Sequence, residues 1–281
     1  MQAGVLGHPI AHSLSPVLHN AAYRELGLDW AYSAIDVEPD LLASVLTEHL
    51  IKRNDWAGFS ITMPLKTHIV PWLTGSEMTA ANRKAEISPL VTETGIANTI
   101  YRKADRLIAD NTDVYGIITA LREVIRHGPI EEIAILGSGA TARSALAAAK
   151  ELGAGKIAVY ARPTKSQFAL RQVAHKLGLA IIEKPLTSAA KELPDYDAVV
   201  STMPKHVADP IASNLKMASG ALLDVVYDPN PTDLAATWSA LGGAIVGGER
   251  MLLHQAARQV ELMTGFPAPL TAMADALYPA T

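Results

Sequence analysis

Cysteine is absent from all 281 residues of the chain. That removes disulfide frameworks, thiolate nucleophiles and cysteine-ligated zinc, and it is compatible with a reducing compartment. No apolar stretch approaches the roughly 18 residues that span a membrane. The opening Met1-Gln2-Ala3-Gly4-Val5-Leu6-Gly7-His8-Pro9 has neither a basic start nor a long apolar core, so no signal peptide is expected and the expected location is cytoplasmic. With a formal net charge of −4, the chain lacks the general electrostatic footprint of a nucleic-acid binder. His8, His12 and His19 form no i, i+4 pair flanking a glutamate, so no metal site is expected. Internal repeats and low-complexity tracts are also missing.

What is present is an apolar share of 49%, typical of a globular core, in a chain long enough for two domains. The most informative stretch comes late. The run Ile133-Ala134-Ile135-Leu136 leads into Gly137-Ser138-Gly139-Ala140-Thr141-Ala142 and then into alanine-rich helical sequence closed by Gly153. Strand, Gly-x-Gly-x-x-Ala and helix together make a dinucleotide fingerprint of the Rossmann type. The first glycine permits a tight turn, the second lets the backbone approach a pyrophosphate, and a small third residue lets helix and strand pack closely. A second strand, Ile157-Ala158-Val159-Tyr160, completes the βαβ unit.

The residues after that second strand select the cofactor. An acidic side chain there would take the ribose 2′-hydroxyl of NAD, whereas an arginine accommodates the 2′-phosphate of NADP. The chain reads Ala161-Arg162-Pro163-Thr164-Lys165, without a carboxylate. NADP is therefore the expected cofactor, with Arg162 on the phosphate and Thr164 and Lys165 as helpers. One charge-assisted hydrogen bond is worth roughly 1.5 to 3 kcal/mol, about 10- to 100-fold in preference.

Ahead of the fingerprint, strand-like runs alternate with helical segments. Val5-Leu6, Tyr32 to Val37 and Gly58 to Met63 read as strands; Leu18, Ala21, Ala22 and Leu26 mark one helix and Asp40 to about Ile51 another. This alternation implies a mainly parallel α/β sheet. Later strands are expected at Ala198 to Ser201 and Ala221 to Val225, and a last helix from about Arg250 to Thr264, stopped by Gly265 and Pro267.

Several polar residues stand out against this pattern. Ser15 before Pro16 reads as a helix N-cap, whereas Ser13, two residues upstream, has no evident capping duty. In Ser60-Ile61-Thr62-Met63-Pro64-Leu65-Lys66 a strand ends and Lys66 falls in or near a first helical turn, where a cation opposes the helix dipole. That is tolerable on a solvated face, and equally what a substrate-directed ammonium would accept. Asp110, Asn111, Thr112 and Asp113 precede a helix that needs only one cap, so the surplus suggests ligand contacts. Asn98 and Thr99 place an amide and a hydroxyl in an apolar run, and buried polar groups need partners.

Taken together, these residues resemble the shikimate dehydrogenase family over nearly the whole chain. His12-Ser13-Leu14-Ser15-Pro16 with His19-Asn20 is similar to the family's opening motif, and Ser60 to Lys66 to its strand-Thr-x-Pro-x-Lys motif. Gly95 to Thr99 resembles its Gly-Ala-Val-Asn-Thr, and Asn111 to Gly116 its Asn-Thr-Asp segment. Asp224 to Pro229 is similar to its Asp-x-x-Tyr-x-Pro, and Gly247-Gly248 with Met251-Leu252 and Gln255-Ala256 to its C-terminal signature.

The resemblance implies a catalytic pair of Lys66 and Asp113 and a substrate pocket of Ser13, Ser15, Thr62, Lys66, Asn98, Asp113, Tyr227 and Gln255. It implies cofactor contacts at Gly137 through Ala142, Arg162, Thr164, Lys165, Thr202, Met203 and Gly248. Reversible NADPH-dependent reduction of 3-dehydroshikimate to shikimate, in aromatic amino-acid (chorismate) biosynthesis, is the implied reaction, with no metal. The implied plan is a substrate domain over 1–113, to which a helical segment 250–281 returns, an NADP domain over 114–249, and a cleft between them.

The chain departs from the family's usual loop Gly-x-Gly-Gly-Ala at Ala140, and from its Asn-Arg-Thr at Ala161 and Pro163. An NAD-using quinate/shikimate dehydrogenase is the nearest alternative reading; a non-catalytic NADP-binding module and a folate-type dehydrogenase of similar plan stand further off. Monomer and homodimer both stay open.

Overall fold

The computed structural model describes residues 1–75 and 85–278. The chain separates into two compact units, Met1–Thr112 with Gln255–Thr281, and Asp113–His254. Among the described residues, no helix is long and apolar enough to cross a membrane.

The first unit is built on β1 (Gln2–Gly7), β2 (Ala31–Asp36), β3 (Trp56–Ile61), β4 (Ala85–Ile87), β5 (Thr99–Lys103) and β6 (Arg106–Asp110), in the order β2-β1-β3-β5-β6-β4. Strand β1 pairs in parallel with β2 and β3, and β4 in parallel with β6, as the alternation of strands and helices predicts. The addition is a hairpin. β5 runs antiparallel to both β3 and β6; only Ala104 and Asp105 connect β5 to β6, too few residues for a parallel crossover between those two.

Helix α1 (Ser15–Glu25) packs against the C-terminal α12 (Leu270–Leu277). The expected helix over residues 40 to 51 forms as α2 (Leu42–Leu46) running into a π-helical stretch (Thr47–Lys52). Leu42, Leu46 and Leu50 enter the core together with Trp56, Phe59, Ile61 and Leu65. The Arg102 guanidinium closes the end of this segment by donating to the carbonyls of Leu50 (2.9 Å) and Arg53 (3.2 Å). Short helices α3 (Ile69–Leu73) and α4 (Pro89–Thr94) complete this side.

The second unit holds β7 (Glu132–Leu136), β8 (Lys156–Tyr160), β9 (Ile181–Lys184), β10 (Ala198–Ser201), β11 (Ala221–Asp224) and β12 (Ala244–Gly247), all parallel in the order β12-β11-β10-β7-β8-β9. This is the doubly wound dinucleotide order, with its reversal between β7 and β10. The connecting helices are α6 (Ala140–Leu152), α7 (Lys165–Leu177), α8 (Ala189–Glu192), α9 (Asp209–Asn214) and α10 (Asp233–Ala240). Ala142, Ala145, Ala147, Ala148 and Ala149 are all buried on α6, small enough for the helix to lie close to the sheet.

Two helices carry the chain between the units: α5 (Thr112–Val124) and α11 (Gly248–Thr264). Within the second unit they are tied by Glu123, whose carboxylate accepts from Arg250 (2.8 and 2.5 Å) and meets His254 Nε2 at 2.7 Å. At the start of α11, a Cβ on Gly248 would collide with the Val225 carbonyl, so packing alone demands glycine there. Gly248→Ala is expected to cost roughly 1–3 kcal/mol through forced backbone displacement, seen as a lower denaturation midpoint; an unchanged midpoint would refute the crowding.

Candidate active site

The expected site residues fall into one cluster per unit. In the second unit the chain leaves β7 at Gly137, whose φ of +105° is a conformation that glycine adopts without strain. A Cβ there would stand 2.6 Å from Thr202 Oγ1. Thr202 donates its N–H (2.9 Å) and its hydroxyl (2.8 Å) to the Leu136 carbonyl, closing the floor of the β7/β10 reversal. Gly139 is the N-cap of α6, and a Cβ built on it meets nothing within 4 Å. Open space over the first N–H groups of a helix is what an anion needs.

Ala140 sits at the first helical position without a positive φ, so a methyl group there costs no backbone strain. Thr141 is half-buried and Ala142 buried beneath it. Ser138 Oγ lies 3.1 Å from Ser166 Oγ, which lies 2.8 Å from Thr164 Oγ1, and Thr164 is the N-cap of α7, directly before Lys165. The hydroxyl chain ties the glycine turn to a second helix start. Two helix N-termini, a turn flanked by two glycines and three hydroxyls make a cradle that fits a dinucleotide.

Arg162, exposed after β8, lines a groove of about 700 Å³ together with Leu186, Ala190, Lys191, Ile211 and Lys216. Cations and apolar walls line it and no carboxylate does, which suits a purine nucleotide bearing an additional phosphate. Lys191 and Lys216 escape the sequence reading, because only the packing of α8 and α9 brings them to one groove with Arg162. Met203 is buried beyond β10. Tyr227 follows β11 on a loop anchored by Asp224, whose buried carboxylate accepts from the Thr232 hydroxyl (2.7 Å) and the Val226 N–H (3.3 Å). Burial raises the pKa of both Asp224 and Tyr227. Asp113 is buried at the second position of α5, where a carboxylate meets the positive end of the helix dipole.

In the first unit the candidates share one edge of the sheet. Ser13 and Ser15 follow β1, Thr62 and Lys66 follow β3, Asn98 precedes the antiparallel β5, and Asn111 follows β6. The backbone fixes these positions. Thr62 N–H donates to Leu6 O (2.9 Å), Ile61 N–H to Asn98 O (2.7 Å), Asn98 N–H to Asp110 O (3.1 Å) and Ala97 N–H to Lys66 O (3.0 Å). Lys66 itself is half-buried in a single 3-10 turn, Leu65–Thr67. Gln255, on α11, brings its Oε1 to 3.3 Å from Asn98 Nδ2.

The two serines exchange their expected roles. The residue at the N-cap of α1 is Leu14, with no side-chain cap, and Ser15 is already helical with Pro16 behind it. Ser13 Oγ accepts the Ser15 N–H at 3.3 Å, so the upstream serine satisfies the helix start and Ser15 is buried instead. Leu14 has a helical φ of −84° and ψ of −4°, which moves the helix boundary one residue ahead of the Ser-Pro signal.

Residues outside the expected set support Asn98. Gln259 is fully buried, accepts from Ser60 (2.6 Å) and donates to Thr99 Oγ1 (2.9 Å). Ser60 accepts from the Tyr32 hydroxyl at 2.5 Å. The Tyr32 ring stacks on His19 with centroids 3.9 Å apart, and Asn20 clamps the Tyr32 backbone through two hydrogen bonds of 2.9 Å. A signal for Gln259 exists in the sequence: it lies one helical turn beyond Gln255, between the apolar Ala256 and Val260.

Comparison with known proteins identifies the family. Residues 5–86 match the family model described as shikimate dehydrogenase substrate binding domain, and residues 248–278 the shikimate 5'-dehydrogenase C-terminal domain. A shikimate dehydrogenase (NADP(+)) of Trichormus variabilis is 33% identical over 266 residues, covering 90% of this chain and 86% of the relative. The crystal structure of Mycobacterium tuberculosis shikimate dehydrogenase is similar with a TM-score of 0.85 and 38% identity over 99% of both chains. That of the Thermus thermophilus enzyme in complex with NADP(H) and shikimate reaches 0.79 with 29% identity, covering 98% of each chain. The chain belongs to the shikimate dehydrogenase family.

Proposed function

We propose that this chain catalyses the reversible, NADPH-dependent reduction of 3-dehydroshikimate to shikimate, the chemistry named for its relatives, as a step toward chorismate and the aromatic amino acids. The observation that carries the cofactor choice is Arg162, set in a groove with Lys191 and Lys216 and with no carboxylate after β8. The first unit is read as the substrate domain and the second as the NADP domain.

On this reading the pyrophosphate lies over the Gly137–Ala142 turn and the start of α6, and the 2′-phosphate meets Arg162, with Thr164 and Lys165 beside it. Thr202, Met203 and Gly248 lie toward the nicotinamide end. When bound, the nicotinamide supplies the hydride. Ser13 and Ser15 bind the substrate carboxylate, and Thr62, Asn98, Tyr227 and Gln255 hold its ring hydroxyls. Lys66 Nζ donates a proton to the oxygen that becomes the hydroxyl and stabilises negative charge on that oxygen before transfer. Asp113 provides the counter-charge and a second proton-holding oxygen at the helix start.

Steady-state assays of shikimate and quinate, each against NADP and NAD, test the reading. Shikimate with NADP is expected to give the highest kcat/KM. Arg162→Ala is expected to lower kcat/KM for NADP about 10- to 100-fold and leave that for NAD nearly unchanged. A wild-type preference for NAD, or equal losses with both cofactors, would contradict the assignment of Arg162.

A further inference from the structure

The buried hydroxyls and amides of the first unit form a chain with one direction. Tyr32 donates to Ser60 (2.5 Å), Ser60 to Gln259 Oε1 (2.6 Å), Gln259 Nε2 to Thr99 Oγ1 (2.9 Å), and Thr99 to Asn98 Oδ1 (2.8 Å). Hydroxyls can donate either way, and amides can be turned over, so such a chain has two polarities in principle. Here one end is pinned by the backbone. The Thr112 N–H donates to Asn98 Oδ1 at 2.7 Å, and a backbone N–H cannot accept. Asn98 Oδ1 must therefore face inward, and its Nδ2 donates outward, to Thr112 Oγ1 (3.0 Å) and Gln255 Oε1 (3.3 Å).

Gln259 is the link that passes this polarity on. Its Nε2 also reaches Asn98 O at 3.4 Å, and its Oε1 lies 3.3 Å from His19 Nε2, so that nitrogen carries the proton. Every member is buried: Tyr32, Ser60, Gln259, Thr99 and Asn98 are each at most 5% exposed. In so dry a setting, hydrogen bonds polarise one another and an unpaired group is costly, so the chain holds its members in one arrangement. None of Tyr32, Ser60, Gln259 or Thr99 belongs to the expected substrate set.

We infer that Gln259 is a positioning residue for substrate binding: by donating to Thr99 Oγ1 it keeps the Thr99 hydroxyl turned toward Asn98 Oδ1, reinforcing the orientation that the Thr112 N–H sets and the direction of Nδ2 toward Gln255. The inference rests on the reading of Asn98 as a substrate residue. Gln259 touches neither substrate nor cofactor in this role; through Thr99 it reinforces the Asn98 orientation that the Thr112 N–H sets. Gln259→Met keeps the length of the side chain and removes both the donor to Thr99 and the acceptor for Ser60.

The test is a double-mutant cycle on KM for shikimate, with NADP affinity measured by titration as the control. Asn98→Ala is expected to raise KM about 10- to 100-fold, the loss of one or two hydrogen bonds. Gln259→Met is expected to raise KM about tenfold in the wild-type background and less than about twofold in Asn98→Ala, because the residue it positions is gone. NADP affinity is expected to stay unchanged in all three variants. Equal effects of Gln259→Met in both backgrounds, or none in the wild type, would overturn the inference while leaving Asn98 in place. An unaltered KM in Asn98→Ala would instead remove the substrate reading of Asn98, and the inference with it. If Gln259→Met does not fold, Thr99→Val cuts the same donation to Asn98 Oδ1 with a side chain of equal shape, and the cycle is read identically.

Discussion

Replacing Lys66 by alanine is expected to lower kcat by about 10²- to 10⁴-fold, the range of a positioned proton donor, with a change in KM of no more than a few fold. The split follows from what the side chain does. Its proton and its charge matter most when the carbonyl oxygen becomes an alkoxide, whereas the ground-state carbonyl gains little from it, so the loss falls on the transition state. The fold survives the change. The Lys66 backbone carbonyl, which accepts from Ala97, is untouched by the change, and the side chain is only half-buried on a short 3-10 turn. Lys66→Arg separates charge from proton transfer, since a guanidinium keeps the charge and does not release a proton in the accessible pH range. If charge alone mattered, arginine would restore most of kcat; the expected result is that it stays within about tenfold of the alanine variant. Near wild-type turnover in Lys66→Ala would end the assignment.

The legible parts of this molecule are those whose physics is local. A glycine turn between a strand and a helix is stated within a few residues, and Gly137 and Gly139 take the conformations that the turn requires. The absence of an acid after β8 is equally local. Pairing direction is not. Nothing in Thr99–Lys103 or Arg106–Asp110 announces an antiparallel hairpin, because its two-residue link is Ala104-Asp105 and Ala104 takes a φ of +54° without a glycine or asparagine to signal it. The helix cap falls one residue ahead of Ser15 for a related reason: the Ser-Pro pair marks a helix start, but the backbone dihedrals at Leu14 decide on which residue it falls. The relay to Asn98 is hidden more deeply. Ser60 and Gln259 are 199 residues apart in sequence, so although the spacing from Gln255 marks the face Gln259 lies on, nothing local names its partner.

His19 is expected to make the protein markedly sensitive to acid. Burial holds its pKa down at about 3, against an ordinary value of 6.5, with the hydrogen bond to Gln259 only partly opposing the effect. Among the described residues its Nδ1 is buried without a partner and no carboxylate pairs with it, and its ring is stacked on Tyr32, so an imidazolium here is poorly met. A histidine with a depressed folded pKa contributes no pH dependence above 6.5, where both states hold it neutral. As pH falls below 6.5 the unfolded chain takes up a proton that the folded chain refuses, and stability is lost progressively until pH approaches 3. The slope is about 1.4 kcal/mol per pH unit, so on the order of 3 kcal/mol is gone by pH 4.5. Denaturant unfolding from pH 8 to 4 checks this against His19→Phe, which keeps a ring on Tyr32 and gives up the hydrogen bond to Gln259. The variant is expected to be less stable by about 1 kcal/mol at pH 8, yet to lose less below pH 6.5, so that the two curves cross. Parallel curves would mean that the folded protein accepts the proton at His19. In that case Nε2 would still donate to Gln259 Oε1, but with a buried positive charge behind it, and the polarity of the chain to Asn98 would owe part of its strength to protonation. A crossing instead places a neutral imidazole at its base, so that the Thr112 N–H sets the direction, Gln259 reinforces it without a charge behind it, and the orientation of Asn98 is insensitive to pH across the working range.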